Sequence, residues 1–124
     1  MKKLLPLLMC TSLLVGSSLM ALDCRNASTT VDMKDCARID YDKADKMLNA
    51  KYKQLMSLLP DAIVKDKLKK AQRAWIIYRD LSADFDSDAM RGGTGEGLLY
   101  VGSQTEMIEQ RTKELSHAIE FYKN

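Results

Sequence analysis

The sequence predicts an all-α fold: a small bundle of three main helices, with a disulfide-tethered N-terminal arm and a Gly-rich loop before the last helix. Three observations predict it. Apolar residues recur at helical spacing over three long stretches. Two breaks separate those stretches, Pro60-Asp61 and the run 91–97. No segment alternates apolar and polar residues in the way a half-buried strand requires.

The first 21 residues are predicted to be an address rather than part of the fold. Lys2 and Lys3 precede a short apolar run, Leu4 to Val15, and small residues follow at Gly16, Ser17, Ser18 and Ala21. That is the three-part layout of a secretory signal peptide. The run is shorter than the roughly 20 apolar residues a membrane span needs. Cleavage is expected after Ala21, with Ser18 as second choice. A lipoprotein is disfavoured, because Met9 precedes Cys10 and Asp23 precedes Cys24, where a lipid-attachment site needs a small residue. The expected domain is therefore 22–124, in a soluble periplasmic or secreted product.

Removing the leader changes the charge balance. The full chain has 19 Lys and Arg against 17 Asp and Glu. Lys2 and Lys3 leave with residues 1–21, so 19 − 2 = 17 basic groups face 17 acidic ones. A neutral domain lacks the basic stripe of a nucleic-acid binder. It also lacks the lysine-rich face of a membrane-surface helix. Cys10 leaves too, and Cys24 and Cys36 remain. An even pair in a small exported domain reads as a disulfide. Zinc is a poorer reading, since two thiols and a distant His117 do not supply four ligands.

The first helix is expected to start at Thr29 or Thr30, with Asp32 favourably placed on the helix dipole. Met33, Ala37, Ala44, Met47, Leu48, Tyr52, Leu55 and Leu59 mark its apolar face. Pro60-Asp61 ends it and opens the second helix. There Val64, Leu68, Ala71, Trp75, Tyr78, Ser82, Phe85 and Ala89 step by alternating fours and threes, a heptad-like seam. Trp75 is expected to be its central core residue, and Ser82 is a hydroxyl where an apolar group belongs. Gly92, Gly93, Gly95 and Gly97 then make a continued helix costly. Tyr100, Met107, Ile108, Leu115, Ile119 and Tyr122 mark the third helix. Arg111 falls on that stripe and needs a partner, for which Asp80 and Asp45 are the candidates. Tyr52, Trp75, Tyr78 and Arg111 are the expected structural core residues.

Little in the chain points to catalysis. His117 is the only histidine and sits among surface-type residues. No nucleophile elbow, zinc-helix motif, calcium loop or phosphate loop occurs. Neither a metal nor a cofactor is expected, and the protein is expected not to be an enzyme.

One ordered set of residues is more specific. A cysteine at the start of the domain (Cys24) is followed by Met33-Lys34-Asp35-Cys36-Ala37, then Leu48-Asn49 with Tyr52. Next comes Leu68-Lys69-Lys70-Ala71-Gln72-Arg73-Ala74-Trp75-Ile76-Ile77-Tyr78-Arg79-Asp80, then Gly92-Gly93, then Thr105 with Arg111. In this order the chain resembles the LprI-like lysozyme-inhibitor domain family of secreted bacterial proteins. The resemblance implies a small helical exported fold and, for some members, inhibition of lysozyme. It also implies a departure. A second cysteine pair common in the family maps to Ser82 and Ser103, so that bridge is missing at both ends.

Two function classes follow. The first is a binding protein that occludes a wall-degrading glycosidase such as lysozyme. Arg91, Gly92, Gly93, Thr94 and Glu96 are its candidate contacts, because loops on rigid scaffolds carry binding disproportionately. Arg91, Thr94 and Glu96 offer directional polar groups, and the glycines allow close backbone approach. The second class is an envelope structural, interaction or immunity-type protein without lysozyme activity.

Overall fold

The computed structural model describes residues 22–124; the proposed leader, 1–21, lies outside them. Three long helices follow one another: α1 (Thr30–Leu58), α2 (Ala62–Ser87) and α3 (Glu96–Lys123). A short 3₁₀ turn, Asp88–Met90, extends the end of α2. The described residues contain no strand.

The boundaries follow from local chemistry. Thr29 caps α1, its hydroxyl accepting the amide of Asp32 at 3.1 Å. Asp61 caps α2 by accepting the amide of Val64 at 2.9 Å. Each cap satisfies an amide that has no partner inside its own helix. Gln72 meets Arg111 and Asp80 meets Gln104, so α2 runs antiparallel to α3. Residues 34–42 lie beside 97–104 and residues 40–47 beside 105–113, so α1 runs parallel to α3.

The N-terminal arm is fixed to α1 by the Cys24–Cys36 disulfide, with Cα atoms 5.6 Å apart. That lies inside the 4.4–6.8 Å range of ordinary bridges. Cys36 is buried on α1, while Cys24 remains exposed. Asp23 closes the arm into a turn, accepting from the Arg25 amide at 3.0 Å and the Asn26 side chain at 2.7 Å.

The apolar core lies mainly between α1 and α3. Ala44, Leu48, Leu55 and Leu59 meet Ile108, Leu115 and Ile119, and Ile108 is fully enclosed. Tyr52 and Trp75 are partly buried against this cluster, as are Val64 and Leu68. On α1 the expected stripe is displaced at its edges: Met33 and Met47 are exposed, while Cys36 is buried.

The second helix is rotated from its expected register. Tyr78 is 63% exposed and Phe85 81% exposed, so neither belongs to the core. Ala71 and Ala89 are exposed as well. The inward face is instead Leu68, Gln72, Trp75, Arg79, Ala83 and Ser87. The reason is chemical. Gln72 and Arg79 are polar, so an apolar periodicity passes over them, yet both are buried and partnered, Gln72 by Arg111 of α3 and Arg79 by the neighbouring Asp80, which itself reaches Gln104 of α3.

Candidate functional site

Two polar latches tie α2 to α3, and Trp75 stands between them. In the first, the guanidinium of Arg111 donates to the Gln72 side-chain oxygen at 3.1 Å and to Glu114 at 2.7 Å. The expected partners, Asp80 and Asp45, are therefore incorrect: a neutral amide on α2 and a carboxylate one turn along α3 satisfy Arg111 instead. In the second, Asp80 accepts from Arg79 Nε at 2.8 Å and from the Gln104 side chain at 2.8 Å. Arg79 also reaches Asp80 through Nη2 at 2.8 Å, and its side chain is only 10% exposed.

The two guanidinium carbons lie 5.5 Å (Arg79) and 6.0 Å (Arg111) from the Trp75 ring centroid. Both distances suit a cation–π contact. Trp75 is thus partly buried between two cations rather than enclosed in aliphatic core.

These contacts have electrostatic consequences. The hydrogen bond from Arg79 holds the Asp80 carboxyl below its ordinary range, with the Gln104 hydrogen bond adding to the effect and partial burial opposing it. Burial pushes the Tyr41 phenol up, against the opposing charge of Arg79. No buried side-chain nitrogen or oxygen among the described residues is left without a partner.

The Gly-rich segment is a compact turn at the far end of α2. Gly92 has φ +75°, a conformation that costs a side-chain-bearing residue energy. A side chain on Gly93 would press on the carbonyl of Met90 at 3.1 Å. The turn is held shut from within. Glu96 accepts the Gly92 amide at 2.8 Å, and Arg91 Nε donates to Asp88 at 2.6 Å. Gly93 donates its amide to the Met90 carbonyl at 2.9 Å. Glu96 also stands in the first turn of α3, where an anion suits the helix dipole.

The candidate residues Arg91, Gly92, Gly93, Thr94 and Glu96 therefore share one turn but divide by role. Arg91 and Glu96 spend their charged groups on the turn itself. Thr94 is exposed and forms no side-chain hydrogen bond among the described residues. Beside the turn, a shallow cleft of about 370 Å³ is lined by Asp84, Thr94, Gly97, Tyr100 and Lys34, among others.

The family model described as lysozyme inhibitor LprI matches residues 23–115. The chain belongs to the LprI family. That span begins at the disulfide-tethered arm and takes in both latches and the turn. The chain is also 34% identical over 132 aligned residues to an uncharacterized protein of Rhizobium meliloti (strain 1021), covering 97% of this chain and 95% of that relative. No solved structure gives a significant match. In this LprI domain, Gln72, Trp75, Arg79 and Asp80 are occupied in holding α2 against α3.

Ser82 and Ser103, where the resemblance places the missing second bridge, both stand on the α2–α3 side of the bundle. Ser82 lines the groove between these helices with Glu106, Met107 and Gln110. Ser103 donates to Asp86, one helical turn from Ser82, at 2.6 Å. A hydrogen bond thus joins the two helices close to where the bridge would lie. Among the described residues, no helix is long and apolar enough to cross a membrane.

Proposed function

We propose that this protein is an exported LprI-type binding protein that inhibits a wall-degrading glycosidase of the lysozyme class by sterically occluding its substrate cleft. Residues 1–21 act as a signal peptide, and the turn at 91–97 makes the contact. The observation that carries this reading is the internal closure of the turn by the Glu96–Gly92 and Arg91–Asp88 hydrogen bonds. A protrusion already held in one shape loses little conformational freedom on binding, and that raises affinity. Thr94 and the backbone of Gly92–Gly95 are then the contact groups, with Arg91 and Glu96 as positioning residues.

Charge supports the same end of the molecule. Lysozymes are often strongly basic, and a neutral domain offers them little overall attraction. The acids, however, are unevenly spread: Asp84 and Asp86 stand on the last turn of α2 next to the loop, and Asp88, paired with Arg91, follows in the 3₁₀ turn. A local acidic patch steers a basic partner even when the net charge is zero.

The test is lysozyme turnover of peptidoglycan in the presence of the purified protein and of Thr94→Trp. Thr94 is exposed, so the bulky substitution is accommodated without disturbing the turn. The expected result is inhibition by the parent protein and weaker inhibition by the variant, with equal thermal stability. No inhibition across several lysozymes would favour an envelope interaction or immunity-type role. Equal inhibition by both proteins would move the contact away from the turn.

A further inference from the structure

We propose that α2 is also a self-association face, on which two copies of this chain pair antiparallel about a two-fold axis near Ile77 and Tyr78. The first support is an unpartnered apolar stripe. Ile77, Tyr78, Leu81 and Phe85 are respectively 62%, 63%, 65% and 81% exposed. They follow one another at helical spacing and, with Ala74, form a continuous outer face. That face is the reverse of the one that carries Gln72, Arg79 and Ala83 into the bundle.

The second support is the charge order along the helix. The first half of α2 carries Lys65, Lys67, Lys69, Lys70 and Arg73, with Asp66 as its only acid. The second half carries Asp80, Asp84 and Asp86, continues to Asp88, and has only the buried Arg79 as a cation. Basic groups at a helix N-terminus and acidic groups at its C-terminus both oppose the helix dipole. The arrangement therefore weakens α2 as an isolated helix. An antiparallel copy reverses the effect, since each basic half lies along the acidic half of its neighbour.

The register agrees with both supports. An axis between Ile77 and Tyr78 sets Ala74 opposite Leu81, Lys70 opposite Phe85 and Lys67 opposite Asp88. The lysine stem at 70 then covers the Phe85 ring, and the rim charges pair. A self-complementary patch of this kind is what a closed dimer requires. Glu106, on the α3 rim of the groove beside Phe85, adds a carboxylate to the acidic end.

Size sets the expected strength. A helix of 26 residues is about 39 Å long. Two such faces bury on the order of 1,000 Å² in total, at the low end of specific interfaces. So modest an area makes a concentration-dependent monomer–dimer equilibrium the expectation rather than a permanent dimer.

Sedimentation equilibrium of the exported protein tests this without reference to lysozyme. The expected result is a monomer–dimer equilibrium that Phe85→Asp abolishes. Lys67→Glu should weaken the dimer about tenfold, equivalent to about 1.4 kcal/mol. The same substitution should leave the monomer's thermal stability unchanged or raised, because Lys67 is exposed and an acid there replaces a lysine three residues from Lys70 by a group of opposite charge. Misfolding would lower that stability, so the two readouts separate loss of pairing from loss of structure. A protein that stays monomeric up to about 1 mM would overturn the proposal. So would a dimer indifferent to Phe85→Asp, or an exposed stripe that affects only binding of a different protein.

Discussion

Replacing Asp80 perturbs the latch that holds Arg79 in the bundle. Asp80 Oδ1 accepts from Arg79 Nε and Nη2 and from the Gln104 amide, each at 2.8 Å. Asp80→Asn keeps an acceptor oxygen but removes the charge. Hydrogen bonds involving charged groups contribute roughly 1.5–3 kcal/mol and neutral ones roughly 0.5–1.5 kcal/mol. The Asp80 side chain is 42% exposed, so solvent screening reduces the difference to about 1 kcal/mol. Asp80→Ala removes all three acceptor contacts and strands a guanidinium only 10% exposed, which raises the cost to roughly 2–3 kcal/mol. Urea unfolding followed by helical circular dichroism reads both values, because m is about 1 kcal/mol per molar for a small domain.

The pH dependence provides the stricter check. The folded carboxyl of Asp80 is held below its ordinary value, so its contribution is present above the unfolded value, roughly 3.9. That contribution is lost as pH falls through the lower folded value. The stability gap between parent and Asp80→Asn should therefore be full at neutral pH and shrink below about pH 4. A gap that stays constant down to about pH 2, or no gap at neutral pH, would refute the latch.

Three further outcomes are expected. Reducing the Cys24–Cys36 bridge, or replacing both residues by Ser, should cost about 3 kcal/mol by the loop-closure model, read as a lower urea midpoint with helix content retained. Trp75→Ala should cost roughly 2–4 kcal/mol, below the full core value because the ring is only partly buried; Trp75→Phe should recover much of the packing but less of the cation–π contact. Ser82→Cys with Ser103→Cys should form a disulfide and raise Tm, and free thiols in the oxidised double variant would remove the basis for mapping the missing bridge there.

The helices, their breaks and the cysteine bridge were legible because each has a local chemical signal. Thr29 and Asp61 are good caps, Pro60 interrupts, and a glycine cluster cannot continue a helix. The register of α2 was not legible from apolar spacing. Its inward positions include Gln72, Arg79 and Ser87, while Tyr78, Leu81 and Phe85 point outward. A hydropathy pattern assumes that burial selects apolar groups, and here the buried polar groups are satisfied by hydrogen bonds, from Arg111 of α3 to Gln72 and within α2 from Arg79 to Asp80 and from Ser87 to the Asp84 carbonyl. A usable signal did exist. Gln72 and Arg79 are seven residues apart on α2, as are Gln104 and Arg111 on α3. That spacing keeps each pair on one helix face, and antiparallel packing crosses them, Gln72 to Arg111 and the Arg79–Asp80 pair to Gln104.

The candidate turn was legible as a turn but not in its internal bonding. Arg91 and Glu96 read as free polar groups in the sequence. In the structure, Asp88 and the Gly92 amide hold them, so only Thr94 and the backbone are left to face a partner. Short-range partners such as Arg91–Asp88 depend on the backbone path through Gly92, which spacing alone does not specify.

Amide hydrogen exchange of residues 22–124, alone and with an excess of lysozyme, is the decisive measurement for the proposed contact at the turn. Added protection should be concentrated at Gly92–Glu96, with the latch region around Gln72, Trp75 and Arg79 unchanged. Protection confined to the α2 face, with the turn exchanging as fast in the complex as alone, would contradict it.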